Sequence, residues 1–293
     1  MRLIDSHVHL YPSAIALDPV AWAQTQGEAH WARLATRRRR DGGPVQLFPT
    51  VDELMHELDA AEIDRAVLLG WYWEHASSCE LQNQFYADCI RAYPDRLSAF
   101  AAVPLAKRES ALATVALARE QGFAGLGELS PHSVGGAAAR RVLPEVLAAA
   151  GAARLPVNLH VSDPIARKFA GWVETPLHDF VAWAKNFPET TFVLAHWGGG
   201  LAFCETGRAL TNVYFDTAAS PLLCDASAWS RAVASVGSER LLFGSDYPLR
   251  LYPRTNEGTG LADFAREART ALSASDLALV GRANAQHLLG LRQ

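Results

Sequence analysis

Eight short apolar runs, nearly all separated by a helical one, constrain this chain more than any other feature of its sequence. The first opens with Leu3-Ile4 and ends in His7-Val8-His9. The others are Asp64–Gly70, Leu97–Val103, Ala124–Leu129, Pro156–Val161, Thr191–His196, Val213–Asp216 and Leu241–Asp246. A helix opens at Thr50, where Thr50 and Glu53 form a capping box ahead of the apolar stripe Leu54, Leu58 and Ala61. Further helices are expected over Cys79–Tyr93, Glu109–Gln121, Leu143–Ala153, His178–Asn186, Leu201–Leu210 and Ala228–Val236, and from Leu261 onward. Short apolar strands alternating with helices imply a parallel sheet covered on its outside. Eight such units in 293 residues predict an α/β fold, a closed (β/α)8 or TIM barrel, as a single domain over 1–293. An open doubly wound sheet fits less well, because no Gly-x-Gly-x-x-Gly turn follows the first strand. Gly198-Gly199-Gly200 lacks the Lys-Ser/Thr of a phosphate loop. Residues 11–50, broken by prolines but carrying Trp22 and Trp31, read as a long packed insertion with short helices.

Metal-ligand residue types stand at the ends of these strands. His7 and His9 are two apart and so share a strand face, where two neutral imidazoles can chelate one divalent ion and suit zinc. Glu128 ends the fourth strand on the face of Ala124 and Leu126; His160 ends the fifth, His196 the sixth and Asp246 the eighth. In a (β/α)8 barrel all those ends meet at one face, where active sites are built. A carboxylate buried there needs a cation or hydrogen-bond donors, which predicts Glu128 in or beside a metal centre. Asp216, closing the seventh strand, reads as a structural hydrogen-bonder.

Composition excludes several other classes. A net charge of −4 gives no sign of nucleic-acid binding, and no apolar run of about 18 residues suggests a membrane span. Cys79, Cys89, Cys204 and Cys224 have no Cys-x-x-Cys spacing, and the N-terminus has no signal-peptide pattern, so a reducing, cytoplasmic setting is expected. The run Arg37–Arg40 reads as a solvated loop, with contact to an anionic substrate or a partner subunit as the alternative. A homo-oligomer, formed through the helical shell and the insertion, is also expected.

Four stretches carry a resemblance: Ile4-Asp5-Ser6-His7-Val8-His9, Asn158-Leu159-His160, Leu194-Ala195-His196-Trp197-Gly198-Gly199-Gly200 and Leu242-Phe243-Gly244-Ser245-Asp246-Tyr247-Pro248. In that order they resemble the amidohydrolase superfamily of metal-dependent barrels, in particular the amidohydrolase family 2 branch, which holds both hydrolases and non-oxidative decarboxylases. The resemblance implies that His7, His9, His160 and Asp246 bind Zn2+ or another divalent transition metal. It also implies that Asp246 takes a proton from metal-activated water, and that His196 orients water, polarises the substrate or joins a second ion. Glu128 is an additional ligand or a hydrogen-bond partner of the water. One ion is the catalytic minimum, and the residues for two are present. Three histidines and one carboxylate leave an open position, as a catalytic site needs. Tyr72, Trp73, Trp197 and Arg250, in loops after strand ends, suit a small, partly planar substrate bearing a carboxylate. The leading expectation is a zinc-dependent hydrolase of a C–O or C–N bond in a small organic acid, lactone or amide. A decarboxylase or hydratase of an unsaturated or aromatic acid is the runner-up, and a non-catalytic binding barrel the reading from another class.

Overall fold

The computed structural model describes residues 1–291. Its sheet runs β1 (Leu3–Val8), β2 (Ile63–Leu69), β3 (Leu97–Ala101), β4 (Gly125–Leu129), β5 (Val157–Leu159), β6 (Phe192–Leu194), β7 (Val213–Asp216) and β8 (Leu241–Leu242). The eight strands are neighbours in sequence order and every pair is parallel. The barrel closes through the segment after β8. Ser6 N–H donates to the Phe243 carbonyl (2.8 Å), Asp246 N–H to that of His7 (2.9 Å) and His9 N–H to that of Tyr247 (2.6 Å). Beneath this seam the buried Asp5 carboxylate accepts from the Ser245 hydroxyl (2.6 Å) and the Ser245 N–H (2.9 Å). The α/β barrel read from the alternation of strands and helices is therefore the observed fold.

Helices α4 (Val51–Ala60), α5 (Ala76–Ala92), α6 (Arg108–Leu117), α7 (Gly136–Ala152) and α8 (Leu177–Asn186) belong to the outer shell. The capping box of α4 forms as expected. The Thr50 hydroxyl accepts from Glu53 N–H, the Glu53 carboxylate from Thr50 N–H, and Leu54 and Leu58 are fully buried. Two expectations shift. α7 opens at Gly136 rather than Leu143 and runs through Pro144, so the proline sits inside the helix without ending it. The helix expected over Leu201–Leu210 is instead a 3-10 turn, Leu201–Phe203, and a helical turn, Glu205–Arg208, separated at Cys204 by extended backbone (φ −143°, ψ 163°).

The insertion carries three short helices, α1 (Ser13–Leu17), α2 (Pro19–Gln26) and α3 (Ala29–Ala35). Its Tyr11, Ile15, Ala23, Trp31 and Ala35 make a separate apolar core with Trp71, Tyr72 and Trp73 from the β2–α5 connection and Cys79 from α5. Burying those aromatics is what holds an irregular, proline-rich stretch in place, since each large ring contributes a few kcal/mol when removed from water. The insertion thus packs against the connection that leads out of β2. Among the described residues no helix is long and apolar enough to cross a membrane.

Candidate metal centre and active site

His7 and His9 leave β1 on one face, with their Nε2 atoms 3.2 Å apart. One oxygen of Asp246 lies 3.7 Å from the first and 3.6 Å from the second. Glu128 stands on the other side, 3.6 Å from His9 Nε2 and 4.0 Å from His7 Nε2 through one oxygen. Its second oxygen lies 2.9 Å from His160 Nδ1 and 3.6 Å from His196 Nε2. Two donor sets result, His7–His9–Asp246 and Glu128–His160–His196, with Glu128 reaching across both. Gly127 lets Glu128 come this close. Its φ of 129° is one that side-chain-bearing residues rarely adopt, and a Cβ there would sit 2.5 Å from the Asn158 carbonyl on β5.

The hydrogen bonds behind the histidines fix which nitrogen faces inward. His7 Nδ1 donates to Asp216 (2.9 Å), His9 Nδ1 to the Leu69 carbonyl (3.0 Å) and His196 Nδ1 to the Ala218 carbonyl (3.1 Å). The Ser162 hydroxyl spends its one proton on the Val173 carbonyl (2.7 Å), so toward His160 Nε2, 3.3 Å away, it can only accept. Every outer nitrogen is therefore the N–H, and four ring lone pairs and two carboxylates converge with no donor among them. Such a set is stable only around a cation or trapped protons. Donor atoms bound to one zinc-like ion at about 2.0–2.2 Å stand roughly 3.0–3.5 Å apart, close to the separations around His7, His9 and Asp246. The residues fit a divalent metal.

Charge reinforces this. Burial opposes charging His7, but the Asp216 carboxylate outweighs it and lifts His7 to about 10. Burial likewise opposes His196, yet Glu128 and Asp246 raise it to about 9. Burial pulls His9 down to about 3 and pushes Asp246 up to about 7. Without a cation the cluster holds protons in place of one. Backbone strain is concentrated here too, since His196 (φ 58°), Trp197 (φ 57°) and Asp246 (φ 68°) all lie in the left-handed region. Asp216 anchors the first of these by accepting His196 N–H (3.0 Å) and Ala218 N–H (3.1 Å). The sequence marked Asp216 as a structural hydrogen-bonder; it braces His7 and the backbone of His196 together.

The cluster opens into a cavity of about 290 Å3. His9, Glu128, His160, His196 and Asp246 stand at its base, and Trp71, Tyr72, Phe169 and Trp172 are among its walls. Trp71 and Tyr72 stack on each other, ring centroids 4.5 Å apart and 22° from parallel. A larger groove, about 1010 Å3, lies on the outer shell between α5 and α6 and shares no residue with the cluster.

Of the residues expected to bind substrate, Tyr72 lines the cavity and three do not. Trp73 is buried in the insertion's core, its indole N–H given to Gln82 (2.7 Å). Trp197 turns into the helical shell, packing on Phe203 and Trp229 and donating to the Ser220 hydroxyl (2.9 Å). Arg250 points away, bonding the Asn256 carbonyl (3.0 Å). A rigid loop tether, not loop membership, decides where such side chains end. Two arginines do line the cavity, Arg167 and Arg37. The Arg37 guanidinium carbon lies 3.9 Å from the centroid of the Phe169 ring and its Nε donates to the Leu34 carbonyl (2.9 Å), leaving its terminal nitrogens for a ligand. The only sequence signal for it was the Arg37–Arg40 run; nothing singled out Phe169, Trp172 or Ser162.

Among solved structures the chain is similar to 5-carboxyvanillate decarboxylase from Novosphingobium aromaticivorans DSM 12444, complexed with manganese and 4-hydroxy-3-methoxy-5-nitrobenzoic acid (16% identity, 99% of this chain and 96% of that one, TM-score 0.73). It is also similar to a dihydroxybenzoic acid decarboxylase from Polaromonas sp. JS666 with bound manganese and the inhibitor 2-nitroresorcinol (17%, 100% and 98%, 0.68). A third is the apo form of Metarhizium anisopliae IDCase (21%, 100% and 98%, 0.71). At these identities the likeness speaks to the fold. No curated protein sequence gives a significant match. The amidohydrolase family profile matches residues 4–291, from the first strand to the last helix. With that match spanning the barrel and its strand-end histidines, the chain belongs to the amidohydrolase family.

Proposed function

We propose that this protein is a divalent-metal-dependent decarboxylase of a small, planar carboxylic acid. One observation carries the reading: a cavity of about 290 Å3 joins a cation-demanding cluster to aromatic walls and to Arg37, whose terminal nitrogens are left for a ligand. That volume is at the lower end of the roughly 300–1,000 Å3 range of small-molecule sites, which suits a single ring. Trp71 and Tyr72 make one flat wall, Phe169 and Trp172 contribute to the rest, and the Arg37 fork holds a carboxylate. A divalent ion such as Zn2+ or Mn2+, held by His7, His9 and Asp246 with Glu128 and His160 alongside, would supply Lewis acidity. Loss of carbon dioxide leaves the bonding electron pair on the substrate carbon, which must then take a proton. Asp246, buried yet open to the cavity, is the residue we assign to pass on that proton after taking it up from an acidic group of the substrate or from water, with His196 orienting the acceptor end of the substrate. The solved neighbours support this reading, since those described are decarboxylases and two carry manganese with a small aromatic compound.

Hydrolysis of a lactone or amide is the second reading, favoured by Glu128 reaching across two donor sets, an arrangement that suits paired ions. The test is a screen of aromatic and unsaturated acids, lactones and amides with Zn2+- and Mn2+-loaded protein, scoring carbon dioxide separately from acid released. Carbon dioxide from a planar acid supports the proposal. Acid release without carbon dioxide moves the assignment to hydrolysis, and a metal-loaded protein inert to the whole screen would leave a binding barrel.

A further inference from the structure

We infer that Ser162 is a positioning residue that couples the orientation of the His160 ring to the docking of the loop over the cavity. The inference rests on reading His160 as a metal ligand. Three contacts meet at this buried residue. Its hydroxyl accepts from His160 Nε2 (3.3 Å) and donates to the Val173 carbonyl (2.7 Å), and its N–H donates to the Thr175 hydroxyl (2.8 Å). Residues 162 and 173–175 thus clasp the two ends of one loop. Between them Ala166, Arg167, Phe169 and Trp172 line the cavity. The loop's far side rests on the insertion, where His30 Nε2 donates to the Gly171 carbonyl (3.1 Å). Gly171 (φ 84°) lies so close to Leu34 that a Cβ would come within 2.8 Å.

The coupling follows from proton counting. While the Ser162 proton is on Val173, the hydroxyl can only receive, which holds His160 as the Nε2–H tautomer and leaves its Nδ1 lone pair aimed at Glu128. If the loop lifts, Val173 leaves, and the freed hydroxyl can donate to Nε2 instead. The ring can then carry its proton on Nδ1, where it opposes a metal. A docked loop and a metal-ready histidine are one state.

The experiment measures Zn2+ affinity by competition with a chromophoric chelator, and hydrogen exchange over 163–175, in the full-length protein. Ser162→Ala is expected to weaken Zn2+ binding roughly 10-fold or more, the low end for a partner behind a ligand, and to speed exchange in the loop. Ser162→Thr, which keeps the hydroxyl, should restore most of the affinity. Thr175→Val cuts the clasp without removing the hydroxyl, so exchange should rise and Zn2+ affinity should fall with it, by less than in Ser162→Ala. Unchanged Zn2+ affinity in Ser162→Ala, while His160→Ala loses it, would overturn the inference alone. So would a Thr175→Val variant whose loop exchanges faster while its Zn2+ affinity stays unchanged, which would uncouple the two. Unchanged affinity in His160→Ala would instead overturn the ligand reading beneath it.

Discussion

Asp216→Asn is the substitution that probes the centre most sharply without touching an inward-facing donor. Each oxygen of Asp216 accepts two hydrogen bonds: one from His7 Nδ1 (2.9 Å) and Asn158 Nδ2 (3.1 Å), the other from the N–H groups of His196 and Ala218 (3.0 and 3.1 Å). An asparagine supplies one acceptor oxygen and one NH2, so two of these donors must face another donor. Turned so that its oxygen keeps the two backbone groups, its NH2 meets the His7 ring. His7 then accepts at Nδ1 and carries its proton on Nε2, the nitrogen that faces His9. Binding a metal requires that proton to move back, which leaves the His7 N–H and the asparagine NH2 as buried donors facing each other at roughly 1–3 kcal/mol. At 1.4 kcal/mol per factor of ten this is about a 5- to 150-fold loss of metal affinity. Turned the other way, the strain falls on the His196 backbone and on folding stability. Chelator competition gives the affinity and thermal unfolding of the metal-free protein gives the stability. A variant with both unchanged would refute the reasoning that Asp216 sets the His7 tautomer.

The remaining predictions concern protons, ion number and substrate. Metal and proton compete within the cluster, where His7, His196 and Asp246 stand at about 10, about 9 and about 7 without a metal, so the bound state holds fewer protons and affinity rises with pH. The rise should be at least about tenfold per pH unit between about pH 7 and pH 9 and steepen below it, where the Asp246 proton must also leave; a flat profile would mean no proton is displaced. Metal analysis should find one ion per chain, with Glu128→Gln weakening its binding; two ions falling to one in that variant would overturn the single-ion expectation. Arg37→Met should raise KM for an acid substrate roughly 10- to 100-fold with kcat little changed, as expected for loss of a charge-assisted bidentate bond. Arg250→Met should leave KM within about twofold, because its guanidinium serves the Asn256 carbonyl; a reversal of the two would return the substrate carboxylate to Arg250.

The barrel was legible because short continuous apolar runs and intervening helices leave a pattern that local residues alone determine. Strand ends share one face in such a barrel, so the sequence order of His7, His9, Glu128, His160, His196 and Asp246 was enough to bring them together. The walls of the cavity were not legible in that way. Trp71 and Trp73 are two apart and chemically alike, yet one lines the cavity and the other fills the insertion's core. Trp197 follows His196 directly, but left-handed backbone at both residues throws the indole outward. Arg37 reaches the site only because α3 folds across the barrel mouth, a tertiary event that leaves no period in the chain. The Leu201–Leu210 stretch had helical composition, and the extended Cys204 broke it into two turns.

The seam between β1 and residues 243–247 bears on how the protein is made. His9 leaves the ribosome 237 residues ahead of Asp246, an interval of roughly 12–50 s at about 5–20 residues per second. Before Asp246 emerges the nascent chain already offers His7, His9, His160 and His196 with Glu128, but not the set His7–His9–Asp246. Imidazoles favour copper and zinc over manganese, in the general affinity order of divalent metals. The second carboxylate, which makes the centre more hospitable to a harder ion, arrives last, together with the hydrogen bonds that close the barrel. If the centre takes its metal as the barrel closes, expression in media of different metal content should yield differently loaded protein from the same gene.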